Sequence, residues 1–149
     1  MNTITPDFLA SLHQALGDTA IDVSDDTIAQ YSRNLLPRGD RRPAGVAYPS
    51  STAEVQTIVR LANRHRFPLY SISTGENRGL GLKSPIQPGC LIVDVGKRMN
   101  RILEIDETLC LAEVEPGVTY QQMHDELGRR GHKLMMDTTS GPPNGGIVG

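Results

Sequence analysis

The sequence lacks most features that would commit a protein to a large or charged partner. Across 149 residues, 15 Lys and Arg stand against 17 Asp and Glu. With no basic cluster, neither nucleic acid nor an anionic membrane is expected as a partner. No apolar run approaches the length of a membrane span. Met1 to Asp7 has neither the basic start nor the apolar block of a signal peptide, so the expected compartment is cytoplasmic. Cysteine is scarce: Cys90 and Cys110 sit in strand-like apolar surroundings with no second Cys or His at ligand spacing, and both are expected as buried thiols. His13, His65, His124 and His132 form no pair at metal spacing with a matching carboxylate, so no metal is expected. His13 and His65 are expected on solvated helix faces. Asp94 and Asp106 are expected as solvated strand ends, and would act as an acid and base pair only if the fold joined them. The nucleophile elbow Gly-x-Ser-x-Gly is also absent. The chain is nevertheless long enough to bury a core of its own.

The usual nucleotide fingerprints are missing too. Gly75, Gly79 and Gly81 do not make Gly-x-Gly-x-x-Gly, and Leu82 separates Gly81 from Lys83-Ser84, which removes a P-loop. Pro85 and Pro88 stand where a following helix would run. What is there is Ser73-Thr74-Gly75-Glu76-Asn77-Arg78-Gly79-Leu80-Gly81, directly behind the apolar run Pro68 to Ile72. Its glycines let the backbone take positive φ and gather N–H groups into one concavity, which suits a pyrophosphate. The same residues also describe a Gly/Asn-rich turn, and the loop alone leaves both readings open. Arg38, Arg41 and Arg42 read as solvated loop charge.

Residues 1–43 read as an N-terminal helical segment. One helix is predicted over Pro6 to Leu16, with Phe8, Leu9, Leu12 and Leu16 on one side, and a second from Asp25-Asp26 to about Ser32. Gly45 to Pro49 predicts a strand. Ser51 and Glu54 make a capping box that opens a helix with Val55, Ile58, Val59 and Ala62 inward. The strand after it leads into the glycine loop, so a β-α-β unit places that loop at a strand's C-terminal end, where open α/β sheets hold ligands. Leu91–Val95, Arg101–Ile105 and Leu111–Glu115 predict the three strands of an antiparallel meander. A helix from Tyr120 to Arg130 is capped by Thr119 and stopped by Gly131, with Met123 and Leu127 inward. Lys133 to Met136 is strand-like, and a second glycine-rich loop closes the chain. The fold class is α+β.

Taken in order, Pro68–Gly81, Leu91–Val95, Met99-Asn100-Arg101-Ile102, Glu115–Tyr120 and Gly145–Gly149 resemble the FAD-binding domain of the vanillyl-alcohol oxidase and p-cresol methylhydroxylase (PCMH-type) family. The resemblance covers about residues 44–149. It implies that FAD is the cofactor. It further implies that Ser73, Thr74, Gly75, Glu76, Asn77, Arg78, Gly79 and Gly81 wrap the pyrophosphate with backbone N–H groups, while Pro116, Gly117, Val118, Gly145, Gly146, Ile147, Val148 and Gly149 lie along the rest of the cofactor. Family members nearest this pattern oxidise small para-substituted phenols. Hydride leaves the benzylic carbon for flavin N5, and the resulting quinone methide takes up water or loses a proton. Oxygen or a cytochrome subunit takes the electrons, and a homo-oligomer is compatible with the family.

Three positions depart from the family pattern. Asp137 is the one acidic residue before the last glycine loop, where several oxidases carry an Asp-Pro-Asp-Leu type of stretch. Leu80 replaces a frequent aromatic, and no His for flavin attachment lies between Ser73 and Gly81. Family members are several times longer, so 44–149 reads as a partial domain, truncated at its C-terminal end. The chain is thus expected to be an N-terminal fragment without turnover of its own, and its catalytic residues are unassigned. The alternatives are a non-catalytic or remnant nucleotide-binding module and a same-fold oxidase of hydroxy acids or sugars.

Overall fold

The computed structural model describes residues 3–34, 41–76, 83–137 and 141–148. Helix α1 (Pro6–Leu16) starts as its sequence dictates: the Thr5 hydroxyl accepts the Phe8 N–H, Pro6 occupies the first turn, and Gly17 ends the helix at φ 83°. A 3₁₀ turn then leads to a short strand that the sequence did not announce, β1 (Ile21–Asp22). Helix α2 (Asp25–Tyr31) is capped by Ser24. Strand β2 (Gly45–Ala47) precedes α3 (Thr52–His65), where the Ser51 hydroxyl accepts the Glu54 N–H at 3.2 Å. Glu54 completes the box one residue early: its carboxylate accepts the Ser50 N–H at 2.7 Å and the Ser50 hydroxyl at 2.8 Å. Val59, expected inward, is exposed.

Strand β3 (Leu69–Ile72) does not pair with β2. Strand β4 (Leu91–Asp94) enters between them, parallel to both, and β1 adds antiparallel to β2, giving the order β1-β2-β4-β3. This corrects the predicted meander, in which Leu91–Val95 was the first of three antiparallel strands. The reason is burial on both faces. All four residues of β4 are buried, and a continuous apolar run without alternation is what a central parallel strand needs. Leu91 and Val93 pack with Phe8, Leu12, Ile58 and Ala62 beneath α1 and α3, whereas Ile92 and Cys90 pack on the other face with Tyr31, Val46, Tyr48 and Ile72.

The antiparallel part is a hairpin of β5 (Ile102–Asp106) and β6 (Leu111–Val114), with an irregularity at Leu103. Helix α4 (Tyr120–Arg129) closes a second small core around Val118, Met123 and Leu127, against Ile105, Val114 and Leu134. Thr119 is its N-cap, accepting from the Gln122 N–H at 3.1 Å, and Gly131 follows it at φ +72°. Lys133 to Met136 is irregular rather than a strand. Cys90 is buried, and burial pushes its thiol up to about 11. Cys110 is exposed on the hairpin turn, not buried as expected, and both thiols are free. His13 and His65 are half-buried rather than solvated. His65 stacks on the Phe8 ring at 5.0 Å, because α3 is pressed against α1. No helix among the described residues is long and apolar enough to cross a membrane.

Candidate functional site

Strands β3 and β4 run parallel and end together, so the segments leaving them meet. Ser73 and Thr74 follow β3, while Val95 and Gly96 follow β4; the Val95 N–H donates to the Ile72 carbonyl at 3.1 Å. A Cβ on Gly96 would stand 2.5 Å from the Ser73 carbonyl carbon and 3.0 Å from the Thr74 nitrogen. On the other side of Gly96 lies Gly117, whose own Cβ would stand 2.7 Å from the Gly96 Cα. Gly146 completes the group: a Cβ there would reach 3.1 Å from the Ser73 Oγ and 3.2 Å from the Thr74 Oγ1. Three segments far apart in sequence, at Ser73-Thr74, Gly96 and Gly117, are thus stacked backbone to backbone at the C-terminal ends of the parallel strands, with Gly146 against the Ser73 and Thr74 side chains. Side chains are excluded at Gly96 and Gly117 by the chain itself, and Gly96, Gly117 and Gly146 are buried in the stack.

Several short bonds hold this stack. The Gly117 N–H donates to the Met99 carbonyl at 2.8 Å, and the Val118 N–H to the Glu115 carbonyl at 3.1 Å. The closing loop is sewn to the same segment: the Ile147 N–H donates to the Val118 carbonyl at 2.9 Å, and the Tyr120 N–H to the Gly145 carbonyl at 3.1 Å. Val118 is fully buried and packs into the second core. Gly75 is left-handed at φ +64°, with the Lys83 side chain on the side a Cβ would take; the Lys83 ammonium pairs with Glu76 at 2.8 Å.

Two acids beside the stack are internally matched. The buried Glu115 carboxylate accepts from the Arg101 N–H at 2.8 Å and from its guanidinium at 2.7 and 3.2 Å. Those bonds hold the carboxyl below its ordinary value. Asp94, expected as a solvated strand end, is 5% exposed. Its Oδ1 accepts the Gly96 and Lys97 N–H groups at 3.1 and 3.0 Å, and its Oδ2 accepts the Tyr31 hydroxyl at 2.6 Å. Burial raises the Asp94 carboxyl above its ordinary value against these donors. Burial, then the bond to Asp94, raises the Tyr31 phenol. Asp106 is remote in role: it accepts the Leu109 N–H in the hairpin turn at 2.9 Å, so the two acids form no pair.

Of the predicted site residues, Ser73, Thr74, Gly117 and Gly146 meet directly around Gly96, and Gly145, Ile147 and Val118 hold that meeting in place. Pro116 is half-buried next to it, whereas Glu76 and Val148 are exposed. Asn77, Arg78, Gly79, Gly81 and Gly149 lie outside the described residues. Gly96 and Tyr31 escaped the sequence reading, and Asp94 was read as a solvated strand end. An Asp two residues before a Gly at a strand end was a readable turn signal; the partnership with Tyr31 was not readable.

Glycine backbone packed at the C-terminal ends of parallel strands is where open α/β sheets bind nucleotides such as FAD, and that placement puts the domain in the nucleotide-binding class. A family profile described as "FAD binding domain" matches residues 43–149. The flavoprotein subunit of 4-cresol dehydrogenase [hydroxylating] from Pseudomonas putida is 35% identical over 136 residues, 90% of this chain and 26% of that protein. The 1'-carboxy-chondrochloren decarboxylase of Chondromyces crocatus is 36% identical over 141 residues, 95% of this chain and 26% of that protein. Among solved structures, 4-ethylphenol oxidase from Gulosibacter chungangensis, in an isoeugenol complex, superposes with a TM-score of 0.88 at 34% identity, covering 95% of this chain and 27% of that one. Hydroxy-acid dehydrogenases recur among the more distant relatives. The chain belongs to the FAD-binding domain family, of the PCMH type, whose cofactor is FAD. It spans about a quarter of the length of the curated relatives it matches.

Proposed function

We propose that this chain is the FAD-binding portion of a flavin-dependent oxidoreductase that oxidises a para-substituted phenol or aromatic alcohol. The observation that carries the reading is the stacking of Ser73-Thr74, Gly96, Gly117 and Gly146 where β3 and β4 end. Ser73 to Gly81 would hold the pyrophosphate, and Pro116–Val118 and Gly145–Gly149 would lie along the rest of the cofactor. FAD, when bound, supplies an acceptor for the hydride that leaves the substrate's benzylic carbon. The chain's own residues would bind and orient: backbone N–H groups of the Ser73 to Gly81 loop would face the phosphates, and the match of Asp94 and Glu115 to internal donors would keep two carboxylates from repelling them. The phenolic substrate class is supported by the 4-cresol and 4-ethylphenol enzymes among the relatives. A cytochrome subunit as electron acceptor fits the same family. The second reading, oxidation of hydroxy acids, is favoured by the hydroxy-acid dehydrogenases that also match.

The test is flavin uptake. Purified chain mixed with FAD and desalted should retain a flavin spectrum, and a colourless protein would overturn the cofactor assignment for this chain. Anaerobic bleaching of the bound flavin in the enzyme that carries this domain should follow para-alkylphenols and not glycolate, lactate or alditols; the reverse pattern selects the second reading. The 149 residues alone should bind without multiple turnovers.

A further inference from the structure

The site just described leaves one buried group without a function: the Asp94 carboxylate, with Tyr31 against it. Asp94 lies at the last position of β4, in register with Ile72 at the end of β3. Both strands therefore hand over to the glycine stack at its level. One oxygen binds the Gly96 and Lys97 amides and closes the turn that carries Gly96; the other binds the hydroxyl of Tyr31, the last residue of α2. Gly96 is the middle of the stack, touching the Ser73-Thr74 backbone on one side and Gly117 on the other. A shift in the Gly96 turn cannot be absorbed there without moving both neighbours. Tyr31 lies before the residues 43–149 that match the family. It is 4% exposed and packs with Tyr48, Ile72 and Ile92 on the sheet face that its helix covers.

We propose that Asp94 and Tyr31 are positioning residues for the cofactor: their buried hydrogen bond sets the Gly96 turn, and through it the spacing of the Ser73-Thr74 and Gly117 segments that receive FAD. The N-terminal helix α2 is thereby a working part of the cofactor cradle. This rests on the FAD reading above. Asp94 itself is buried. Its carboxylate is consumed by Tyr31 and the two amides, and its effect passes through the Gly96 backbone.

The experiment is a fluorescence titration of FAD into the chain and three variants, with apo-protein unfolding recorded for each. Asp94→Asn keeps an oxygen for the Gly96 and Lys97 amides and an amide group that can donate to the Tyr31 oxygen, so its Kd should stay within about twofold of the parent. Asp94→Ala loses all three bonds, and its Kd should rise about tenfold or more, the scale of a buried bond to a charged group. Tyr31→Phe, which keeps the ring and its packing, should weaken binding by about three- to tenfold. Unchanged Kd values for Asp94→Ala and Tyr31→Phe, with only their unfolding temperatures lowered, would reduce the pair to a fold contact and overturn the proposal. If Asp94→Ala does not fold, Tyr31→Phe decides: parent-like affinity refutes, weakened affinity supports. Failure of the parent chain to bind FAD would appear before any variant is compared, and would overturn the cofactor reading and this proposal together.

Discussion

Replacing Gly117 with alanine adds one carbon where the fold leaves room for none. That carbon would stand 2.7 Å from both the Cα and the carbonyl carbon of Gly96, and closer still to its carbonyl oxygen, where ordinary contact begins near 3.4 Å. Neither side can yield cheaply. The Gly96 amide is bound to Asp94 at 3.1 Å, and its other flank rests on the Ser73 backbone. Gly117 is tied to Met99 at 2.8 Å, and the next residue to Glu115 and Ile147. Overpacking a well-packed site costs about 1–3 kcal/mol and more where backbone must move, so the upper end, about 3 kcal/mol, is expected. For a chain of this size that lowers the unfolding temperature by about 6–12 °C. The assay is thermal unfolding by circular dichroism, with FAD binding measured on the folded variant. Gly128→Ala is the control: it lies in α4 with nothing within 4 Å of the added carbon, and helix propensity should stabilise it by about 0.5 kcal/mol. A Gly117→Ala protein that melts at the parent temperature, or two alanines that shift the melt alike, would refute the claim that backbone stacking requires glycine here.

Other perturbations test the surrounding fold. Phe8→Ala removes a fully buried ring that contacts His65 and Phe67, each at 5.0 Å between ring centres; it should cost about 3–5 kcal/mol in urea unfolding. The Asp94 carboxyl is raised by burial above its ordinary 3.8, so the folded state favours its protonated form. Its contribution is complete below that value and is lost as pH rises through the raised one. Asp94→Asn should therefore be as stable as the parent or more so at pH 7, with the difference shrinking toward pH 3.5; an Asn variant that is relatively weakest at neutral pH would contradict this. Glu115 behaves oppositely. Arg101 lowers its carboxyl below 4.5, so stability present above that value is lost as pH falls through the lowered one. Arg101→Gln should flatten this part of the acid unfolding profile, and an unaltered acid limb would count against the pair's role.

Much of this protein was written locally. Ser51 and Thr119 announced two helix starts because a cap and its amide lie three residues apart, and the structure has both bonds. The glycine-rich segments were also legible, but glycine at a strand end makes turns as readily as phosphate loops, and it was the order of several such segments, resembling a known family, that tied them to a nucleotide. What only the tertiary structure decided is nonlocal. Whether Leu91–Asp94 begins a meander or enters a parallel sheet depends on strands more than eighteen residues away, and its unbroken apolar run signalled burial without naming neighbours. Cys110 looked apolar in context but turned outward, because the hairpin leaves its turn uncovered. Asp94 looked like a solvated end until α2 brought Tyr31 to it across 63 positions of chain. Spacing along the chain encodes what a residue does to its own turn; which backbone it must touch, as Gly96 touches Ser73 and Gly117, is set only when separate segments are packed together.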